Sequence, residues 1–368
     1  MSTITVEQLR TWLDEGGEVC IVDVRPLAER QEWSIPGSLH IDAYEALKAH
    51  DPEALAELQI PASQRVVTVC AAGKTSQIAA KQLRARGLSQ VFSLEGGMQA
   101  WSLAWNSAHI PLPDHSIQVI QIRRTGKGCL SYLIGTGEEA VVIDASLDTE
   151  VYLDVAALHG WRITHVLETH IHADHISRSR LLAQQSGAML LLPEQKRVSF
   201  PFTAIHDEEA LAIPPLHLKA FHTPGHTMES TCYLLNGHIL FTGDTLFTAS
   251  IGRPDLQADK GEATLRAHAL YQSLHRLLAL PADRLILPGH TSTPVPFDKR
   301  PLMATLHEID AQIDLLHAER VDFVHAVLSR LPAPPPNAER IIRVNEQGLL
   351  PDQPVSELEA GANRCAIF

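Results

Sequence analysis

His170-Ile171-His172-Ala173-Asp174-His175 gathers three histidines and an aspartate directly after the apolar run Ile163 to Leu167. A short apolar run bounded by polar residues reads as a buried strand, and in layered α/β folds sites are built where strands end. Neutral imidazoles and a carboxylate are good ligands for first-row transition metals. A loop lets them converge, which a continuous helix or strand would not. Three further pieces follow. His222-Thr223-Pro224-Gly225-His226-Thr227 offers a histidine on a tight turn, Phe241-Thr242-Gly243-Asp244-Thr245 an aspartate directly after a strand, and Pro288-Gly289-His290 the same pattern again. Any one of them alone reads as a scattered surface or core residue. Four motifs in this order read as one metal centre assembled from separate strand ends.

Outward from this cluster, strand-like runs occupy Ile117 to Ile122, Ser131 to Ile134, Ala140 to Ile143, Thr231 to Leu235 and His238 to Thr242, with helices between them. This pattern predicts a layered αββα arrangement. Leu302 to Leu328 shows helical apolar spacing and ends at Pro332-Ala333-Pro334-Pro335-Pro336. Upstream, Asn106 to Ser116 carries Pro111 and Pro113 among polar residues and reads as the region of the linker, placed at 109–116. Before it, Cys20 to Val24 and Arg65 to Cys70 read as buried strands and Ser76 to Arg86 as a helix closed by Gly87, a small α/β unit. The expected domains are therefore 1–108 and 117–345, followed by a tail at 346–368.

The first unit has its own candidate chemistry. Cys70 follows a strand and opens Cys70-Ala71-Ala72-Gly73-Lys74-Thr75-Ser76 before a helix. The loop amides and the positive end of the helix dipole favour a thiolate there, and Lys74 adds positive charge for an approaching anion. The phosphatase pattern wants an arginine where Ser76 stands, so phosphate-ester chemistry is disfavoured. Cys20, Cys129 and Cys232 lie in apolar runs and read as core fillers.

Two family resemblances rest on these residues. From about Thr5 to Trp105 the chain resembles a single-domain rhodanese, through Val22-Asp23-Val24-Arg25 with Glu29 and Trp33, Ile35-Pro36-Gly37-Ser38, the Cys70 loop, and Leu94-Glu95-Gly96-Gly97-Met98-Gln99-Ala100-Trp101. The resemblance implies a sulfurtransferase in which Cys70 carries sulfur as a persulfide and Ala71, Ala72, Gly73, Lys74, Thr75 and Ser76 cradle the anion. Lys74 stands where many members have arginine, which keeps the charge and loses two-pronged binding. Asp23 and Arg25 read as a scaffold pair.

From about Ile117 to Arg343 the ordered histidines and aspartates resemble the metallo-β-lactamase superfamily. Within it they are most similar to persulfide dioxygenases, a branch resembling glyoxalase II that carries a single iron. The signs are Glu168 to Ile176, Gly243-Asp244-Thr245-Leu246-Phe247, and Ile251-Gly252-Arg253-Pro254-Asp255-Leu256. The resemblance implies one Fe(II) on His170, His226 and Asp244, with His172, Asp174, His175 and His290 around it or lining a second metal position. Two histidines and a carboxylate leave the opposite face of Fe(II) open to substrate and dioxygen. The implied reaction turns the persulfide of a low-molecular-weight thiol and O₂ into sulfite and thiol, alongside a rhodanese step on thiosulfate, persulfide or sulfite in either direction. Arg253 is read either as a group that binds an anionic part of the substrate or as a brace paired with Asp255. A two-zinc thioester hydrolase like glyoxalase II shares nearly all of these residues and stays open as the alternative. A first domain acting only as a docking or regulatory module is the non-catalytic one.

Composition limits the partners. A formal net charge of -13 argues against general affinity for nucleic acid or an anionic membrane, which leaves small molecules. The first ten residues lack the layout of a signal peptide and no apolar run is long enough to span a bilayer, so a soluble, cytoplasmic protein is expected. The five widely spaced cysteines fit a reducing compartment. Cys365-Ala366-Ile367-Phe368 fits a prenylation box formally but has no basic cluster upstream. The helical 302–328 segment is expected to cover the domain's own sheet or, in a homo-oligomer, a neighbour.

Overall fold

In the computed structural model, which describes residues 2–113 and 115–367, the apolar runs of the first hundred residues form five short parallel strands. These are β1 (Thr3–Ile4), β2 (Val19–Asp23), β3 (Leu39–His40), β4 (Arg65–Val69) and β5 (Val91–Leu94), ordered β1-β5-β4-β2-β3. A parallel sheet is covered on both faces, and the pleat divides the side chains accordingly. Val22 and Val66 join one core with Ala79, Ala80 and Leu83 of the helix Lys74–Ala85, while Ile21 and Val67 join the other with Leu9 and Trp101.

The second domain is built from two facing sheets. The first contains β6 (Asn106–Ile110), β7 (Ile117–Arg124), β8 (Cys129–Thr136), β9 (Glu139–Ile143), β10 (Arg162–Leu167), β11 (Met189–Pro193) and β12 (Thr203–Ile205), in the order β12-β11-β10-β9-β8-β7-β6. The second contains β13 (Ala210–Ile213), β14 (Leu216–His222), β15 (Thr231–Leu235) and β16 (Ile239–Gly243), continued by β18 (Leu285–Pro288) and β19 (Ala304–Thr305). A separate two-stranded ribbon pairs β17 (Ile251–Gly252) with β20 (Ala366–Ile367). Alternation assigns each residue to a layer. Tyr132, Ile134, Val141 and Ile143 meet Tyr233, Leu235, Ile239 and Phe241 between the sheets. Leu133, Ala140 and Val142 point the other way, to the helices Thr149–Leu158 and Ser179–Ser186. Leu234 and Leu240 face Leu270, Leu274 and Leu277 of the helix Lys260–Leu278. This is the αββα arrangement, preceded by the smaller α/β domain.

Three expectations are corrected. The linker region is partly ordered sheet: Asn106–Ile110 pairs antiparallel with β7, so the chain enters the second domain as its edge strand, and Asp114 lies outside the described residues. The 302–328 stretch is broken into β19, the helix Leu306–Gln312, a 3₁₀ turn at Asp314–His317 and the helix Arg320–Ser329, because Ile313 and Ala318 are extended. Its apolar residues Leu306, Ile309, Leu316, Phe323 and Val327 still share one core. The tail at 346–368 is integrated: Val355–Glu359 is a helix whose Leu358 and Glu359 are buried, and Cys365 is buried beside β20, with Phe368 outside the described residues. Among the described residues no helix is long and apolar enough to cross a membrane.

Candidate metal centre and sulfur-transfer loop

The metal-binding residue types meet where strands of both sheets end. β10 leads into His170, His172, Asp174 and His175; β14 into the His226 turn; β16 into Asp244; and β18 into His290. Two glycines make this convergence possible. A Cβ at Gly243, where φ is +49°, would lie 2.5 Å from Thr169 Oγ1, and one at Gly289 would lie 2.8 Å from Asp244 Oδ1. All seven residues are nearly or wholly buried.

Hydrogen bonds aim the rings. Thr169 donates to Asp144 through both its amide (2.7 Å) and its hydroxyl (2.8 Å), so that the hydroxyl oxygen is free to accept from His170 Nδ1 at 2.9 Å. His226 Nδ1 donates to the carbonyl of Arg253 at 2.8 Å, and His172 Nε2 to Glu168 Oε2 at 2.8 Å. Each bond fixes a tautomer and turns the other ring nitrogen towards the centre. His170 Nε2, His172 Nδ1, His175 Nε2 and Asp244 Oδ2 are buried without a hydrogen-bond partner. Buried polar atoms are normally satisfied, so these four fit the surroundings of a metal ion.

The donors form adjoining groups. His170 Nε2 and His226 Nε2 lie 3.8 and 3.6 Å from Asp244 Oδ2. Asp244 also belongs to a group with His290 and Cys365, and His290 to another with Asp174, His175 and Cys129. His290 spans two carboxylates, its Nδ1 2.5 Å from Asp244 Oδ1 and its Nε2 2.8 Å from Asp174 Oδ2. Burial pushes all four of these imidazoles towards the neutral form. It prevails at His170 and His226, which fall below the usual histidine range, whereas Asp144 and Glu168 lift His172 above it and Asp174 and Asp244 lift His290.

Arg253 takes the bracing position. It is wholly buried, pairs with Asp255 at 2.7 and 2.8 Å, and donates to the carbonyls of Pro332, Ala333 and Arg364. Its guanidinium is thus fully engaged within the protein and has no face for substrate. Cys129 differs from the expected core filler. Its Sγ lies 3.5 Å from Asp174 Oδ2 and 3.7 Å from His175 Nδ1, because the strand holding it runs beside the His290 turn. Cys365, beside Asp244 and His290, was likewise illegible in the sequence: its neighbours are distant in the chain. Thr169 and Glu168 flank the histidine motif, and that adjacency was the available signal for their role.

In the first domain, Cys70 directly follows β4, and Gly73, at φ +80°, caps the helix that begins at Lys74. The Gly96-Gly97 turn grips this loop: Met98 N donates to Cys70 O at 2.8 Å and Gln99 N to Ala71 O at 3.0 Å, and a Cβ at Gly97 would lie 2.1 Å from Cys70 O. The Cys70 thiol donates to Ser76 Oγ at 3.3 Å, and that hydroxyl is 2.9 Å from Ser93 Oγ. Lys74 and Ala72 are exposed at the loop surface, while Gly73, Thr75 and Ser76 are buried. Asp23 and Arg25 form the buried scaffold pair, 2.7 Å apart.

Comparison with known proteins agrees with this division. The rhodanese-like domain family model matches residues 5–104 and the metallo-beta-lactamase superfamily model residues 124–290. Among curated proteins, the hydroxyacylglutathione hydrolase of Pseudomonas paraeruginosa is 33% identical over 160 residues, covering 43% of this chain and 59% of the relative. That of Rhizobium meliloti is 36% identical over 156 residues, covering 41% and 57%. The chain therefore spans less than two thirds of the length of these relatives. Among solved structures, a metallo-beta-lactamase from Staphylococcus aureus is 29% identical with a TM-score of 0.58, covering 65% of this chain and 75% of that one. ETHE1 from Myxococcus xanthus is 29% identical with a TM-score of 0.54, covering 61% and 96%. This chain is a fusion of a rhodanese-like domain with a metallo-β-lactamase-superfamily domain.

Proposed function

We propose that the second domain is a metal-dependent hydrolase of a thioester of a low-molecular-weight thiol, and that the first transfers sulfane sulfur through Cys70. The observation that carries the hydrolase reading is the sharing of Asp244 between two adjoining donor groups, with His170 and His226 on one side and with His290 and Cys365 on the other, His290 in turn belonging to the group of Asp174 and His175. Such a set fits two zinc ions. The curated relatives weigh the same way, since hydroxyacylglutathione is itself a thioester. Bound zinc would supply polarisation of the thioester carbonyl and a water nucleophile at neutral pH. The chain's part is to aim the imidazoles through Asp144, Thr169, Glu168 and the Arg253 carbonyl, and to exclude bulk water from the buried cluster. At Cys70 the step is transfer of one sulfur atom: the thiolate attacks the outer sulfur of a donor such as thiosulfate, sulfite leaves, and a persulfide remains for a thiol acceptor.

Oxidation of a thiol persulfide at one Fe(II) on His170, His226 and Asp244 is the second reading. Two observations favour it. The likeness to the Myxococcus ETHE1 extends over nearly that whole chain, and His290 already pairs Asp174 with Asp244, which engages the donors of a second position with one another. Metal content, thioester cleavage and oxygen uptake on a persulfide, measured on one preparation, separate the readings. Two zincs with cleavage and no oxygen uptake is the expected result; one iron with oxygen uptake would replace the hydrolase by the dioxygenase.

A further inference from the structure

A segment far along the chain from the histidine motif closes the metal centre. Ala366–Ile367 pairs with Ile251–Gly252. Arg253 N donates to Cys365 O at 3.0 Å, Arg253 Nη1 to Arg364 O at 2.9 Å and Asn363 Nδ2 to Thr291 O at 2.9 Å. The backbone of Cys365 is thereby held on both sides, and its residue is 1% exposed. Its Sγ and the ligating atoms of Asp244 and His290 all lie within 4.8 Å of one another. Asp244 Oδ2 is buried and makes no hydrogen bond, while His290 Nε2 has Asp174 Oδ2 at 2.8 Å. Cys129, the other nearby thiol, is differently placed. It faces Nδ1 of His175, leaving the unpartnered Nε2 on the other edge of the ring.

We propose that Cys365 is a metal ligand, supplying a thiolate to the ion held between Asp244 and His290, while Cys129 only orients His175. The proposal rests on the two-metal reading for an ion at that position. Binding is an exchange without redox change: the S–H proton is released to solvent and a sulfur–metal bond forms. A thiolate beside imidazole and carboxylate gives a softer donor set, which favours zinc over magnesium or calcium.

The full chain, stripped by chelation and reloaded with Co(II), tests this through cobalt content, thiolate-to-cobalt charge-transfer absorption and X-ray absorption at the cobalt edge. Two cobalt ions per chain with a sulfur neighbour are expected, the charge-transfer band being lost in Cys365→Ser and kept in Cys129→Ser. Two cobalt ions without sulfur would overturn the Cys365 assignment and leave the two-metal reading standing, whereas one cobalt without sulfur would overturn both. A band that survives Cys365→Ser also overturns it. Should that variant not fold, the unsubstituted chain and Cys129→Ser decide: sulfur present in both supports the assignment, and sulfur absent from either overturns it.

Discussion

At the scale of single residues, the two candidate centres are separable. Cys70 belongs to the first sheet and touches Ser76, whereas every donor near Asp244 belongs to the second domain. Cys70→Ser is expected to abolish sulfur transfer from thiosulfate while leaving bound metal per chain unchanged, checked by sulfite release and elemental analysis. Asp244 is the carboxylate common to the adjoining donor groups, so Asp244→Ala should remove metal from both positions. Full metal retention in that variant would refute the shared role. Thr169 contacts no donor group at the metal face and acts through His170 Nδ1. Thr169→Val breaks the path from Asp144 to that ring, and metal affinity in a competing-chelator titration should weaken by about 10–100-fold. Unchanged affinity would show that the ring needs no such support.

Elements decide whether these residues meet. Four strand ends deliver the donors, and Arg253 ties β17, the proline-rich run at 332–336 and the segment carrying Cys365 into one corner. Removing the guanidinium leaves buried carbonyls unpaired and Asp255 without its cation. Losing one partner of a buried pair costs about 3–5 kcal/mol, and the partial exposure of Asp255 points to the lower end. Arg253→Ala should therefore move the urea midpoint downwards by about 3 kcal/mol of stability; a change below about 1 kcal/mol, the range of surface pairs, would deny it the role of a clasp. The broken helices after β19 were partly legible because their apolar positions recur at helical spacing. The break at Ile313 was not, since spacing records which face is buried and says nothing of where the backbone becomes extended.

At the scale of the whole molecule, the two domains share a tight seam. Arg124 is wholly buried, donating to Ser102 O of the first domain at 2.7 Å and to Glu359 Oε2 at 2.5 Å. Gly126 lies so close that a Cβ there would sit 1.7 Å from Trp101 O, and one at Gly128 would sit 3.0 Å from Trp33 Cη2. Gly126→Ala is thus expected to force the domains apart, giving faster proteolytic cleavage between residues 106 and 116 with each domain's circular dichroism kept. Cleavage at the unsubstituted rate would show that the seam yields without separating. Metal binding to the native chain alone raises stability by mass action. Chelation should accordingly lower the melting temperature, and an unchanged value would argue against a metal held by the folded protein.

Much of this protein is determined by sequence alone. Nearly unbroken apolar runs such as Ala140 to Ile143 and Thr231 to Leu235 specify strands buried on both faces, hence two cores, and the order of His170, His226, Asp244 and His290 specifies one centre fed by several strand ends. The Cys70 loop, placed between a strand and a helix, is local and was readable for the same reason. Tertiary structure alone decided which way Arg253 points, that Asn106–Ile110 is an edge strand, and that Cys129 and Cys365 stand beside the metal donors. Those outcomes depend on contacts between residues far apart in the chain, Arg253 with Arg364 or Cys129 with Asp174, and neither periodicity nor local spacing encodes a partner at that separation.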